Sequence, residues 1–146
     1  MNPVGHARRE PEAFRPAPRL LATLCFSAEK DFLALARSTT THVAGLLDLP
    51  FSRVTDLRLA VDEACALFLT PGSLAPGAEI GGLALVFASF GGELRITVSG
   101  PAPLARPDLD GLGWMLLCAL VGQPRWEVEQ DVGVLTLTEP IPAAAP

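Results

Sequence analysis

The chain has 146 residues, of which 49% are hydrophobic and 18% charged, with a formal net charge of −5. That length suits one domain able to bury a core without metals or disulfides. The acidic balance argues against nucleic acid, because phosphate binding needs clustered Lys and Arg and the only basic cluster is Arg8-Arg9.

No apolar run approaches the roughly 18 residues needed to cross a bilayer. Met1 to Arg19 is polar and proline-rich with no signal-peptide core, so the expected location is the cytoplasm. Cys25, Cys65 and Cys118 include no CxxC pair and fit neither a disulfide framework nor a zinc site; all three read as small core residues.

Residues 1–19 and 140–146 are rich in proline and are expected not to pack, leaving a folded body over 20–139. Leu20 to Phe26 reads as a strand, and Ser27 followed by Glu29-Lys30 as the N-cap of a helix beginning near Ala28. Phe32, Leu33, Leu35, Ala36, Val43, Leu46 and Leu47 follow helical spacing through a weak Thr39-Thr40-Thr41 patch, and Asp48 to Pro50 ends the helix. A second helix, Ser52 to Leu69, repeats Val54, Leu57, Val61, Ala64, Cys65 and Phe68 at threes and fours and stops at Pro71-Gly72.

Glu79 to Ser89 and Glu93 to Val98 form a hairpin about Gly91-Gly92. Pro101, Pro103 and Pro107 impose an irregular loop, after which a helix over Trp114 to Val121 is halted by Gly122 and Pro124. The last hairpin is Trp126 to Gln130 and Val134 to Thr138, turning at Asp131 to Gly133. Strand, helix, helix, two strands, helix, two strands predicts a two-layer α/β sandwich whose mixed or antiparallel sheet has helices on one face.

Asp56-Leu57-Arg58-Leu59-Ala60-Val61-Asp62-Glu63-Ala64-Cys65 resembles the N-box helix of RsbW-type anti-sigma factors, which belong to the GHKL (Bergerat-fold) serine kinase-like ATPases. It is most similar to the actinobacterial UsfX and UshX branch, and the resemblance extends from the first strand to Thr138. In that family a Glu and an Asn one helical turn apart serve the attacking group and Mg²⁺, since residues i and i+4 share a helix face. Glu63 matches the Glu, as a vestigial base or an ordinary surface carboxylate, but Leu67 replaces the Asn and offers no oxygen to a metal.

The family's adenine-reading Asp falls on Gly100, with Ala102 and Leu104 at its glycine positions, so the resemblance implies a degenerate protein serine kinase in which ATP and Mg²⁺ handling is lost. Gly111-Leu112-Gly113-Trp114 matches a third box. It reads either as a tight turn before a helix or as a phosphate turn able to hold a small phosphorylated ligand. Arg37 matches a family arginine that contacts partners, and its planar fork suits carboxylates.

Among the remaining residues, Arg58 and Asp62 are four apart and read as a pair along the helix. His6 and His42 lack a nucleophile or metal partner at motif spacing, and Trp114 and Trp126 read as core.

The function implied is capture of a sigma factor by a cytoplasmic homodimer that inhibits transcription without a catalytic step and is relieved by a signal or an anti-anti-sigma factor. The alternatives are an active serine kinase that phosphorylates that antagonist, and a sensor that releases sigma on binding a small phosphorylated ligand. No metal and no membrane partner is expected.

Overall fold

The computed structural model describes residues 17–69, 82–101 and 109–143. The sheet is antiparallel throughout, in the order β1-β2-β3-β5-β4, where β1 is Arg19–Ser27, β2 Gly82–Phe90, β3 Glu93–Pro101, β4 Arg125–Glu129 and β5 Val132–Pro140. Three helices, α1 (Leu33–Leu46), α2 (Phe51–Phe68) and α3 (Leu112–Val121), cover one face. The two-layer sandwich expected from the element order is therefore present.

Alternation decides which face is covered. Leu83, Leu85 and Phe87 of β2, Leu94, Ile96 and Val98 of β3, and Leu135 and Leu137 of β5 point into the core. There they meet Leu57, Val61, Ala64, Cys65 and Phe68 of α2 and Leu117 of α3. Burying a side chain of this size is worth about 1.5–3 kcal/mol. Their neighbours on the other face, such as Val86, Thr97, Val134 and Thr136, are only half-buried.

Several boundaries differ from those read in the sequence. Ser27 does not cap a helix, because its backbone belongs to β1, opposite Gly82. A single 3-10 turn, Lys30–Phe32, intervenes before α1 begins at Leu33. The threonine patch is helical all the same: Thr40 is buried, so tertiary packing overrides its low propensity, and its hydroxyl donates to the Ala36 carbonyl at 2.7 Å, as that of Thr41 does to Arg37. Pro50, not Ser52, occupies the N-cap of α2.

β5 runs to Pro140, and the Ile141 N–H bonds the Gly92 carbonyl. The final turn is Gln130-Asp131, both at positive φ, rather than Asp131 to Gly133. Gly91 and Gly92 turn the first hairpin, as expected, at φ +46° and +92°. The helix stop expected at Pro71-Gly72 and the proline loop at 102–108 lie outside the described residues.

Of the three cysteines only Cys65 is core. Cys25 alternates with the inward Leu24 and Phe26 and so faces outward on β1, while Cys118 lies on the solvent side of α3. Burial, with a smaller contribution from Asp62, pushes the Cys65 thiol up to about 12.

Candidate functional site

Two regions gather the residues singled out by sequence. The first lies where the C-terminal half of α2 meets the ends of β3 and β5 and the start of α3. The register pairs Gly100 with Gly133. A Cβ at Gly100 would stand 2.6 Å from Leu83 Cδ2 and 3.2 Å from Phe68 Cδ1. A Cβ at Gly133 would stand 2.6 Å from Trp126 Cη2 and 3.1 Å from Phe68 Cε1.

The space beside the two glycines is therefore filled by Leu83 and two aromatic rings. Phe68 and Trp126 sit with centroids 5.5 Å apart at 48°, a tilted pair worth about 0.5–1.5 kcal/mol beyond its area. Phe68 arrives there because it continues the 57, 61, 64 stripe of α2, and Trp126 because it lies opposite Leu135 on the core face of β4. The Trp126 Nε1 is buried with no acceptor among the described residues.

Glu63 and Gly113 are brought together, since a Cβ on Gly113 would be 3.6 Å from Glu63 Oε2. α3 starts at Leu112, two residues before the expected Trp114, with Gly111 as an N-cap in extended conformation and no side-chain cap. Gly111 thus stands outside the helix and Gly113 within its first turn. A carboxylate beside the positive end of a helix dipole is favourable in itself, and it places negative charge where an incoming phosphate would approach. Leu67, one turn beyond Glu63, packs against the core.

The second region is a groove of about 760 Å³ between α1 and α2 on the side away from the sheet. Arg37, His42 and Arg58 supply its basic groups, and Ser38, Thr41 and Thr55 its hydroxyls. Arg37 does not stand free: its Nη1 reaches Asp62 Oδ2 at 3.4 Å across the two helices. The expected Arg58–Asp62 pair is therefore not formed, because Asp62 turns toward α1. Among the described residues, Asp62 Oδ1 is buried without a hydrogen-bond partner and Arg58 makes no ion pair.

A polar cluster that sequence reading missed joins the ends of three elements. Arg53 Nε donates to Glu139 Oε1 and Nη2 to Glu139 Oε2, both at 2.6 Å. The same Nη2 donates to the Leu120 carbonyl at 2.8 Å, and Nη1 to Asp56 Oδ2 at 2.9 Å. Glu139 is buried, and its hydrogen bond is the main reason that the Arg53 pKa is raised above its ordinary value. Asp56 lies three residues away and was legible as a helix pair; Glu139, on the last strand, carried no local signal. The cluster ties α2, α3 and β5 together and has the form of a structural clamp. No group of three or more His, Cys, Asp or Glu among the described residues could hold a metal ion.

No helix among the described residues is long and apolar enough to cross a membrane. No family model matches the sequence, and no curated protein matches it. Among solved structures, the crystal structure of the RsbU and RsbW domains of Rv1364c from Mycobacterium tuberculosis is similar, with TM-score 0.65 and 18% identity. The similarity covers 86% of this chain and 34% of that one, so this chain spans about a third of its length. The likeness supports an RsbW-like fold, a five-stranded antiparallel sheet with three helices.

Proposed function

We propose that this chain is a partner-binding regulator of the RsbW type, an anti-sigma factor that sequesters an alternative sigma factor by occupancy rather than by phosphorylation. The observation that carries this reading is the ring-filled space at Gly100 and Gly133. An Asp at position 100 would have to displace Leu83 and Phe68, and a purine entering there would have to displace the Phe68–Trp126 pair. Tight apolar packing resists both.

Leu67 removes the metal-binding oxygen, and Glu63 beside Gly113 opposes a phosphate at the α3 turn. The residues present do not fit ATP with Mg²⁺, and no catalytic step is assigned to Glu63. The same carboxylate weakens the case for a small phosphorylated ligand at Gly111 and Gly113.

Arg37 remains the proposed partner contact. Its bond to Asp62 is long and half-exposed, so a carboxylate on a partner can replace it at little cost. The UsfX/UshX assignment rests on the α2 sequence alone, and homodimerisation on the family resemblance.

The test is capture of purified sigma factors of the source organism by the full chain without nucleotide, followed by transcription with the matching RNA polymerase. Capture of an alternative sigma factor and loss of transcription from its promoter are expected. Failure to bind any sigma factor, with or without ATP, would remove the anti-sigma reading.

A further inference from the structure

α1 and α2 are joined by the short link Leu47 to Pro50 and form a helical hairpin whose inner stripe is buried on the sheet. The outer side of that hairpin is not the inert polar surface such a helix pair normally presents. Leu35 and Leu46 of α1 and Phe51 and Leu59 of α2 are exposed, Leu46 by 71% and Phe51 by 86%. Of these, Leu59 lines the groove that holds Arg37, His42 and Arg58, and Leu46 and Phe51 lie one helical turn beyond its His42 and Thr55 lining.

The chain as a whole is acidic, yet this groove is basic, because its one carboxylate, Asp62, already faces Arg37. Arg58 is left as an exposed cation with no ion pair among the described residues. Asp62 Oδ1 is left as a buried acceptor without a donor among the described residues. Between Ala34 and His42 the groove runs about 12 Å at the rise of an α-helix, a little over two helical turns of a partner.

From this geometry we infer that the α1–α2 groove docks an acidic amphipathic helix of a protein partner, and that Arg58 reads its carboxylates. Leucine-like anchors about two turns apart cover Leu59 and the Leu46–Phe51 end. Glu or Asp on the flank of the helix pairs with Arg58 and, by displacing Asp62, with Arg37. A hydroxyl, Lys or Arg of the partner donates to the released Asp62. Charge complementarity favours this occupant over a basic helix, which would meet two arginines against the single carboxylate of Asp62. The inference rests on the partner-binding reading above and adds to it where the partner sits and what chemistry it carries.

The test uses the full chain and three labelled synthetic helical peptides of roughly 20 residues. All have the same leucine spacing and carry Glu, Lys or Gln on the flanks; fluorescence anisotropy reports binding. The Glu peptide is expected to bind at least about tenfold tighter than the Lys peptide. Arg58→Glu should reverse that order, and Leu59→Glu should weaken every peptide. Circular dichroism confirms folding of both variants, whose side chains are exposed.

Equal binding of the three peptides, or an unchanged order in Arg58→Glu, overturns the inference. So does displacement by inorganic phosphate with no preference among peptides, which assigns the groove to small anions. Sigma capture undiminished in Arg58→Glu refutes the groove while leaving the regulator reading intact. An Arg58-dependent preference for the Glu peptide in a protein that captures no sigma factor supports the groove and removes the sigma reading.

Discussion

Gly100 and Gly133 face each other across β3 and β5, and the space their absent side chains release is filled by Leu83, Phe68 and Trp126. That packing leaves no room for a side chain at position 100, and placing an Asp there should not open a pocket. Gly100→Asp is expected to lose about 1–3 kcal/mol from overpacking, with a further loss from burying a carboxylate. Gly100→Asp combined with Leu67→Asn should still give no ATP binding. Thermal melting and a nucleotide titration read the two effects, and gain of ATP affinity in the double variant would show that the rings yield easily.

Arg53 holds the buried Glu139 from the other end of the fold. Arg53→Ala leaves that carboxylate in the core with no partner and is expected to cost about 3 kcal/mol, as breaking buried ion pairs does. Adding Glu139→Gln should recover part of the loss, because the neutral amide costs less to bury. Urea unfolding of the two single variants and the double variant measures the coupling; strictly additive effects would mean that the pair is not a unit.

The three thiols should separate in reactivity. Cys25 and Cys118 are exposed and should react with a thiol reagent in the native protein, whereas Cys65 should react only after unfolding. Cys65 also gives the protein an alkaline limit. Its folded pKa is raised from 9.0 to about 12, so the folded state binds more protons than the unfolded state between those values. Stability from this group is whole below about pH 9 and falls as pH rises through the window, by a few kcal/mol at most. Cys65→Ala should abolish that slope while lowering stability at neutral pH, and a stability curve across pH 7–11 checks both.

Arg37→Ala should weaken sigma capture without unfolding the domain. Its pair with Asp62 is long and half-exposed, so thermal stability should change by no more than about 0.5 kcal/mol. Unchanged sigma affinity would remove Arg37 from the interface.

Much of the fold was legible in the sequence, because its signals are local. The two-period of Leu94, Ile96 and Val98 and the three-four spacing of Leu57, Val61, Ala64, Cys65 and Phe68 both reached the core as read. Gly91-Gly92 and Gly122 sit at the positive φ that only their lack of a Cβ makes easy. The misread boundaries have physical causes: Ser27 is held by strand pairing that no cap signal reveals, and Cys25 faces outward by strand alternation.

The site was legible only in part. Leu67 and Gly100 could be set against the family motif that the sequence resembles, but the filling of the space beside Gly100 could not be read. It depends on Trp126 and Leu83, which are far from Gly100 in the chain and meet it only through the sheet. Likewise Asp62 chose Arg37 over Arg58 across two helices, a tertiary choice that i,i+4 spacing does not encode.

Isothermal titration of the full chain with ATP and Mg²⁺, before and after addition of a sigma factor that it captures, tests most directly whether the proposed binding is independent of nucleotide. No ATP heat in either state, together with stoichiometric sigma binding, is expected. Saturable ATP binding at micromolar concentration would contradict it and return the chain to the active kinases.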